Sequence, residues 1–266
     1  MRLSIGLLAA LILGGCGSSV RRLGDQEPGS SGPQKKTTPD LVISGVGFMY
    51  VEGRDSASEL KPKIEGFLIS KTEVTVAQYK RCVEARSCTE PNTQEGCNWG
   101  RPGRGDHPVN CVDWEQARTF ASWLGSEVDL PTSAEWEHAA RGGQAFQYSG
   151  SEEPSRVAWY DENAAGSTHP VASKASNAYQ LYDMSGNVWE WTLGAGRPDE
   201  QGSGPQLTKG DCKGVQPCER APLKREIRGG SWDYEVSDLS VGGRSALMPE
   251  LRAPSVGFRV RLREAR

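Results

Sequence analysis

Residues 181–192 read LYDMSGNVWEWT, and no other stretch restricts the fold of this chain as much. Asp183, Asn187 and Glu190 share these twelve residues with Trp189 and Trp191, and Gly186 sits in their midst. The apolar and acidic positions follow neither the 3.6-residue period of a helix nor the alternation of a strand. Gly186 admits the positive φ of a tight bend, and Asn187 tolerates the same region. Two readings are open. In one, the bent backbone turns carbonyls inward beside the Asp183 and Glu190 carboxylates, an all-oxygen nest of the kind Ca²⁺ takes with about 6–8 ligands. In the other, the tryptophans are core and the acids cap a turn.

The stretch resembles the signature of the formylglycine-generating-enzyme (sulfatase-modifying factor) domain family. Further blocks stand on either side of it: Lys71-Thr72-Glu73-Val74-Thr75, His107-Pro108-Val109-Asn110, residues 130–137 (LPTSAEWE), Arg228-Gly229-Gly230-Ser231-Trp232 and Gly257-Phe258-Arg259-Val260. They occur in the family's order and cover roughly residues 42–263. The resemblance implies an elaborated C-type-lectin-like fold. In catalytic members it implies oxidation of a sulfatase cysteine to formylglycine with O₂, through Cu(I) held by two cysteines. Counted from Ser231, those cysteines fall on Tyr234 and Leu239, and residues 232–243 contain neither Cys nor His. Cu(I) is a soft ion that selects thiolates, so copper and the oxidase activity are expected to be absent.

The resemblance also implies Ca²⁺ sites. The ligands of one match Asp183 and Glu190 through side chains and Gly186 and Val188 through carbonyls, and that site is expected to persist. The other would need an acid before the Pro-Val block. Residues 163–171 hold none, leaving Asn163 as a remnant. Trp189, Ser231, Trp232 and Tyr234 are expected to bound the pocket where catalysis occurs in active relatives.

At the amino terminus, Met1-Arg2 precedes an apolar run over residues 3–13 and then Leu13-Gly14-Gly15-Cys16. The run is too short to span a bilayer and has the form of a signal-peptide core. Small residues before a cysteine resemble a bacterial lipobox, so residues 1–16 are read as a lipoprotein signal with Cys16 the lipidated residue. The expected location is the cell envelope, at the outer membrane in a Gram-negative source. Residues 17–40 are rich in Gly, Ser, Pro and charge and cannot bury enough surface to offset ordering. They are read as a tether, and residues 41–266 as one domain.

Without Cys16 six cysteines remain, an even set suited to an oxidising compartment. Sequential pairing would join Cys82 to Cys88, Cys97 to Cys111 and Cys212 to Cys218. Six cysteines allow 15 connectivities, so proximity alone favours this one. Zinc is the rival use, but there is no CxxC pair and only three His. Capping boxes place three helices: one from Thr75 to about Glu84, one from Asp113 with Gly125 as its stop, and one from Thr132 to about Arg141 before Gly142-Gly143. Short strands are expected at 66–70 and 257–262. With 32 Gly and 16 Pro the rest reads as long irregular connections, so the fold class is α+β.

His107, His138 and His169 lack a nucleophile nearby in sequence and are read as hydrogen-bonded structural residues. Ser231 lies in Gly-Gly-Ser-Trp, which is not a nucleophile elbow. Arg228, Arg244 and Arg259 are expected to brace carbonyls and acids. The formal charge of −3 offers no basic stripe for nucleic acid. The leading expectation is a lipid-anchored, envelope-facing domain without catalysis that binds an exported protein, a peptide or a glycan against its aromatic pocket. The alternatives are a divergent oxidoreductase acting on an exported protein or small molecule, and a structural subunit of an envelope machine.

Overall fold

A computed structural model describes residues 41–55, 63–195 and 224–263 of the chain. Cys16, the tether over 17–40, and Cys212 and Cys218 lie outside the described residues. Three helices begin where side chains satisfy the free N–H groups of the first turn. α1 (Val76–Glu84) is capped by Thr75 with Gln78, α2 (Trp114–Leu124) by Asp113 with Gln116, and α3 (Ser133–Arg141) by Thr132 with Glu135. All three are reciprocal capping boxes, as the sequence predicts. α3 ends at Gly142, which takes the left-handed conformation at φ 56°. A further single turn, α4 (Pro154–Val157), begins with proline.

The strands form two sheets. β1 (Leu41–Ile43), β2 (Val46–Val51), β3 (Phe67–Ser70), β4 (Val128–Asp129) and β9 (Arg261–Arg263) make an antiparallel sheet in the order β1-β2-β3-β9-β4. β5 (Trp189–Ala195), β6 (Arg225–Arg228), β7 (Arg244–Leu247) and β8 (Val256–Gly257) make the second, ordered β7-β6-β5-β8, with β5 and β8 parallel. The strand expected at 257–262 is therefore two strands in different sheets. Phe258, Arg259 and Val260 are buried on every side as the chain crosses between them. A strand with one solvated face would alternate; a crossing segment cannot.

The main core gathers between these layers. Tyr79 of α1 stacks on Phe120 of α2, and Phe258 meets both edge-on. On α2, Trp114, Ala117, Phe120, Ala121 and Leu124 are buried. Cys82 pairs with Cys88 and Cys97 with Cys111, the sequential pairing that spacing favours. The first disulfide ties the last turn of α1 to the loop that follows. The second closes the loop between α1 and α2.

Substitution Thr132→Ala removes the oxygen that accepts from the Glu135 amide and the hydroxyl that donates to its carboxylate. It should lower stability by about 1 kcal/mol, read from the urea midpoint. An unchanged midpoint would show that α3 is held by packing alone.

Candidate functional site

Residues 181–188 form a bend without regular secondary structure, after which β5 begins. Asp183, Gly186 and Asn187 all have positive φ, at 56°, 79° and 60°. Gly186 is required twice over, because a Cβ there would also meet the Trp159 carbonyl oxygen at 2.3 Å. The bend turns polar groups into the protein. Asp183 Oδ2 accepts from the Ala172 amide at 2.7 Å. Asn187 donates to Glu73 at 2.6 Å, and Glu73 also accepts from the Val188 amide at 3.0 Å. Glu73 belongs to the Lys71–Thr75 block and closes the bend from outside.

Glu190 and Arg259 lie at the centre of this cluster, both fully buried. The guanidinium donates from Nε to Oε2 at 2.7 Å and from Nη2 to Oε1 at 2.8 Å, and the Trp136 indole donates to Oε2 at 2.6 Å. Arg259 also donates to the carbonyls of Ser70 and Tyr182. Three of the roughly four acceptor positions of the Glu190 carboxylate are thus taken. A planar guanidinium fork matches a carboxylate, and Arg259 occupies most of the Glu190 carboxylate in this way. Burial is the largest influence on Arg259 and lowers its pKa, but the charge and hydrogen bonds of Glu190 together with the charges of Glu73 and Asp183 outweigh it and raise the pKa. Burial holds the Glu73 carboxyl well above the usual range, and pushes Asp183 up to about 6. Three buried carboxyl groups share one guanidinium, and the repulsion of Asp183 and Glu190 adds to burial in raising Glu73. Among the described residues no three His, Cys, Asp or Glu side chains are arranged to hold a metal ion by themselves. A cation here would need the Gly186 and Val188 carbonyls as well as Asp183, and that donor set suits a hard ion.

The other expected site residues divide between interior and surface. Ser231 is fully buried, and its hydroxyl donates to Asp233 Oδ1. Trp189 is buried under Tyr234, whose ring meets it edge-on at 5.4 Å. The Trp189 indole N–H has no hydrogen bond of normal geometry, although it lies close enough to the Tyr234 phenol to lower its pKa as a weak donor. Burial, then Asp233 and Asp238, raise the Tyr234 pKa. Leu239 is buried in an apolar cluster with Tyr148, Val157 and Tyr160.

Of the four pocket residues, only Trp232 lines the open hollow of about 450 Å³ in this region. Its walls include Glu95, Asn98, Arg101, Arg104 and Asp233, together with Cys97 in its disulfide. The Cys97–Cys111 loop supplies Cys97, Asn98, Arg101 and Arg104 to this wall, and the bracketing of two arginines by two cysteines is the signal that could have disclosed it. Asn110 of the His-Pro-Val-Asn block stitches the wall together, accepting from the Asn98 amide and donating to the Gly96 and Pro254 carbonyls. His107 accepts from Arg104 and contacts Thr168, and burial followed by the Arg104 charge lowers its pKa to about 4. His169 donates to the Ala164 carbonyl and stacks on Trp159 at 3.7 Å; His138 donates to the Glu52 carbonyl. Arg228 bridges Glu226, Ser133 and the carbonyls of Gly242 and Gly243, while Arg244 is exposed on β7.

The family model of the Sulfatase-modifying factor enzyme 1-like domain matches residues 27–264. The chain belongs to that family. Its fold is the C-type-lectin-like fold of formylglycine-generating enzymes. Over 199 residues this sulfatase-modifying-factor domain is 32% identical to a formylglycine-generating enzyme of Streptomyces coelicolor, covering 62% of this chain and 58% of the relative. A serine/threonine-protein kinase pkn1 of Chlamydia pneumoniae is 31% identical over 90% of this chain and 40% of its own length. An inactive C-alpha-formylglycine-generating enzyme 2 of Bos taurus is 30% identical over 59% of this chain and 52% of its own. The chain thus spans about 40 to 60% of the length of these relatives. Among solved structures, CarF superposes with a TM-score of 0.65 at 25% identity, over 84% of this chain and 100% of that one. PvdO from Pseudomonas aeruginosa superposes at 0.64 and 23% identity, over 86% and 100%.

Glu190→Gln would leave Arg259 buried without its full counter-charge. A loss of about 3–5 kcal/mol in unfolding free energy by urea titration is expected. A loss below about 1 kcal/mol would mean that Glu73 and Asp183 already balance the guanidinium.

Proposed function

We propose that this domain is a non-catalytic binding member of its family, held at the cell envelope through a lipidated Cys16, that takes part of an exported molecule into the hollow beside Trp232. The observation that carries the reading is the absence of sulfur at the two positions where catalytic relatives bind copper. Tyr234 is a phenol turned onto Trp189, and Leu239 is an isobutyl group in an apolar cluster. All four cysteines among the described residues are spent in disulfides, including Cys97 at the hollow itself. A soft Cu(I) ion has no thiolate pair to select there. An inactive relative among the similar proteins agrees with a domain of this kind kept for something other than oxidation. The site is concave, with an aromatic wall and several polar groups, which suits recognition.

The same reading includes one Ca²⁺ ion as a structural cofactor. Asp183 and the carbonyls of Gly186 and Val188 would hold it, with Glu190 serving mainly as the counter-ion of Arg259. Its charge would offset the repulsion of Asp183 and Glu190 on Glu73 in the buried cluster.

Cu(I) titration and a cysteine-peptide oxidation assay, run on the purified chain with Cys212 and Cys218 present, test the first claim. No stoichiometric copper uptake and no aldehyde are expected. Aldehyde formation would overturn the binding reading in favour of an oxidoreductase. For the second claim, excess Ca²⁺ should raise the melting temperature of EDTA-treated protein. Equal melting temperatures would remove Ca²⁺ from the account.

A further inference from the structure

The hollow carries four charged side chains, Glu95, Arg101, Arg104 and Asp233, around the half-buried Trp232. Two are acidic and two basic. Among the described residues none of the four takes part in a salt bridge, although they share one cavity. Two of them are held in place from behind. Arg104 Nη1 is fixed by His107 Nδ1 at 3.0 Å and the Thr168 carbonyl at 3.2 Å, leaving Nε and Nη2 without a hydrogen-bond partner among the described residues. Asp233 has one carboxylate oxygen occupied by the buried Ser231 hydroxyl. Each therefore presents one oriented, unspent polar edge, and the two come from segments more than a hundred residues apart. Charges fixed in advance lose little entropy when a ligand arrives, and charge-assisted hydrogen bonds are the strong ones.

We infer that the hollow recognises a peptide segment carrying both an acidic and a basic side chain. Arg104 receives the carboxylate and Asp233 the ammonium or guanidinium group, over the face of Trp232. Arg101 and Glu95 add the same two signs; like Asp233 they are exposed, whereas Arg104 is half-buried. A neutral glycan would leave the charged edges unmatched, and a polyanion or polycation would meet two like charges at close quarters. This inference rests on the binding reading above and specifies its ligand class.

The test uses fluorescein-labelled octapeptides of alternating Lys and Glu, of all Lys, of all Glu and of all Gln, titrated against the purified full chain by fluorescence anisotropy. The Lys-Glu peptide should bind at least about tenfold more tightly than the other three, and increasing KCl should weaken it. Arg104→Gln and Asp233→Asn should each cost about tenfold or more. Glu95→Gln and Arg101→Gln should each cost about two- to fivefold and give a readout should Arg104→Gln or Asp233→Asn fail to fold. Equal binding of all four peptides, or no binding by a chain with an unaltered melting curve, would overturn the inference. So would preferential binding of chitohexaose. In each of these cases the copper and aldehyde assays still decide separately whether the domain is catalytic.

Discussion

The Glu190–Arg259 ion pair holds the bend, the two sheets and α3 in one arrangement. Glu190 opens β5 in one sheet, Arg259 lies on the crossing between that sheet and the other, and Trp136 of α3 donates to the same carboxylate. Arg259 reaches further, to carbonyls at the end of β3 and in the bend. Removing two charges from water is costly, and a buried pair repays it only when the remaining donors and acceptors are satisfied. Here most of them are. That demand fixes the geometry closely, because a small displacement of either sheet would strand a charge in the interior.

The irregular chain depends on that rigid centre. Between α1 and α2 the backbone has little regular structure, yet Asn98, Asn110 and Thr168 satisfy one another and nearby carbonyls, and the Cys97–Cys111 disulfide closes the loop. Between α4 and β5, Trp159 is clasped by His169 on one face and Lys174 on the other. Buried backbone polar groups need partners wherever they lie, and side-chain amides and hydroxyls supply them where strands do not. A loop built this way can present charged side chains in fixed directions, as Arg104 and Asp233 are presented at the hollow.

Tyr234 and Leu239, three and eight residues after Ser231, are accommodated differently. Leu239 completes an apolar cluster and contributes packing. Tyr234 covers Trp189 but does not satisfy its indole N–H.

Much of this was legible in the sequence. Thr75, Asp113 and Thr132 announce their helices because a cap is a contact between residues three apart, and short-range contacts leave short-range patterns. The Cys82–Cys88 and Cys97–Cys111 pairs follow from proximity along the chain. The positive φ at Gly186 and Asn187 follows from residue type, and Tyr234 and Leu239 exclude thiolates whatever the fold. Tertiary structure alone decided that Glu190 faces Arg259, a partner 69 residues away, and that residues 257–262 divide between two sheets. It alone decided that the hollow is walled by Arg104 and Asp233, with Trp189 and Ser231 behind. A carboxylate at a bend is chemically ready for a metal ion or a guanidinium, and only the packing of distant segments determines which of them reaches it.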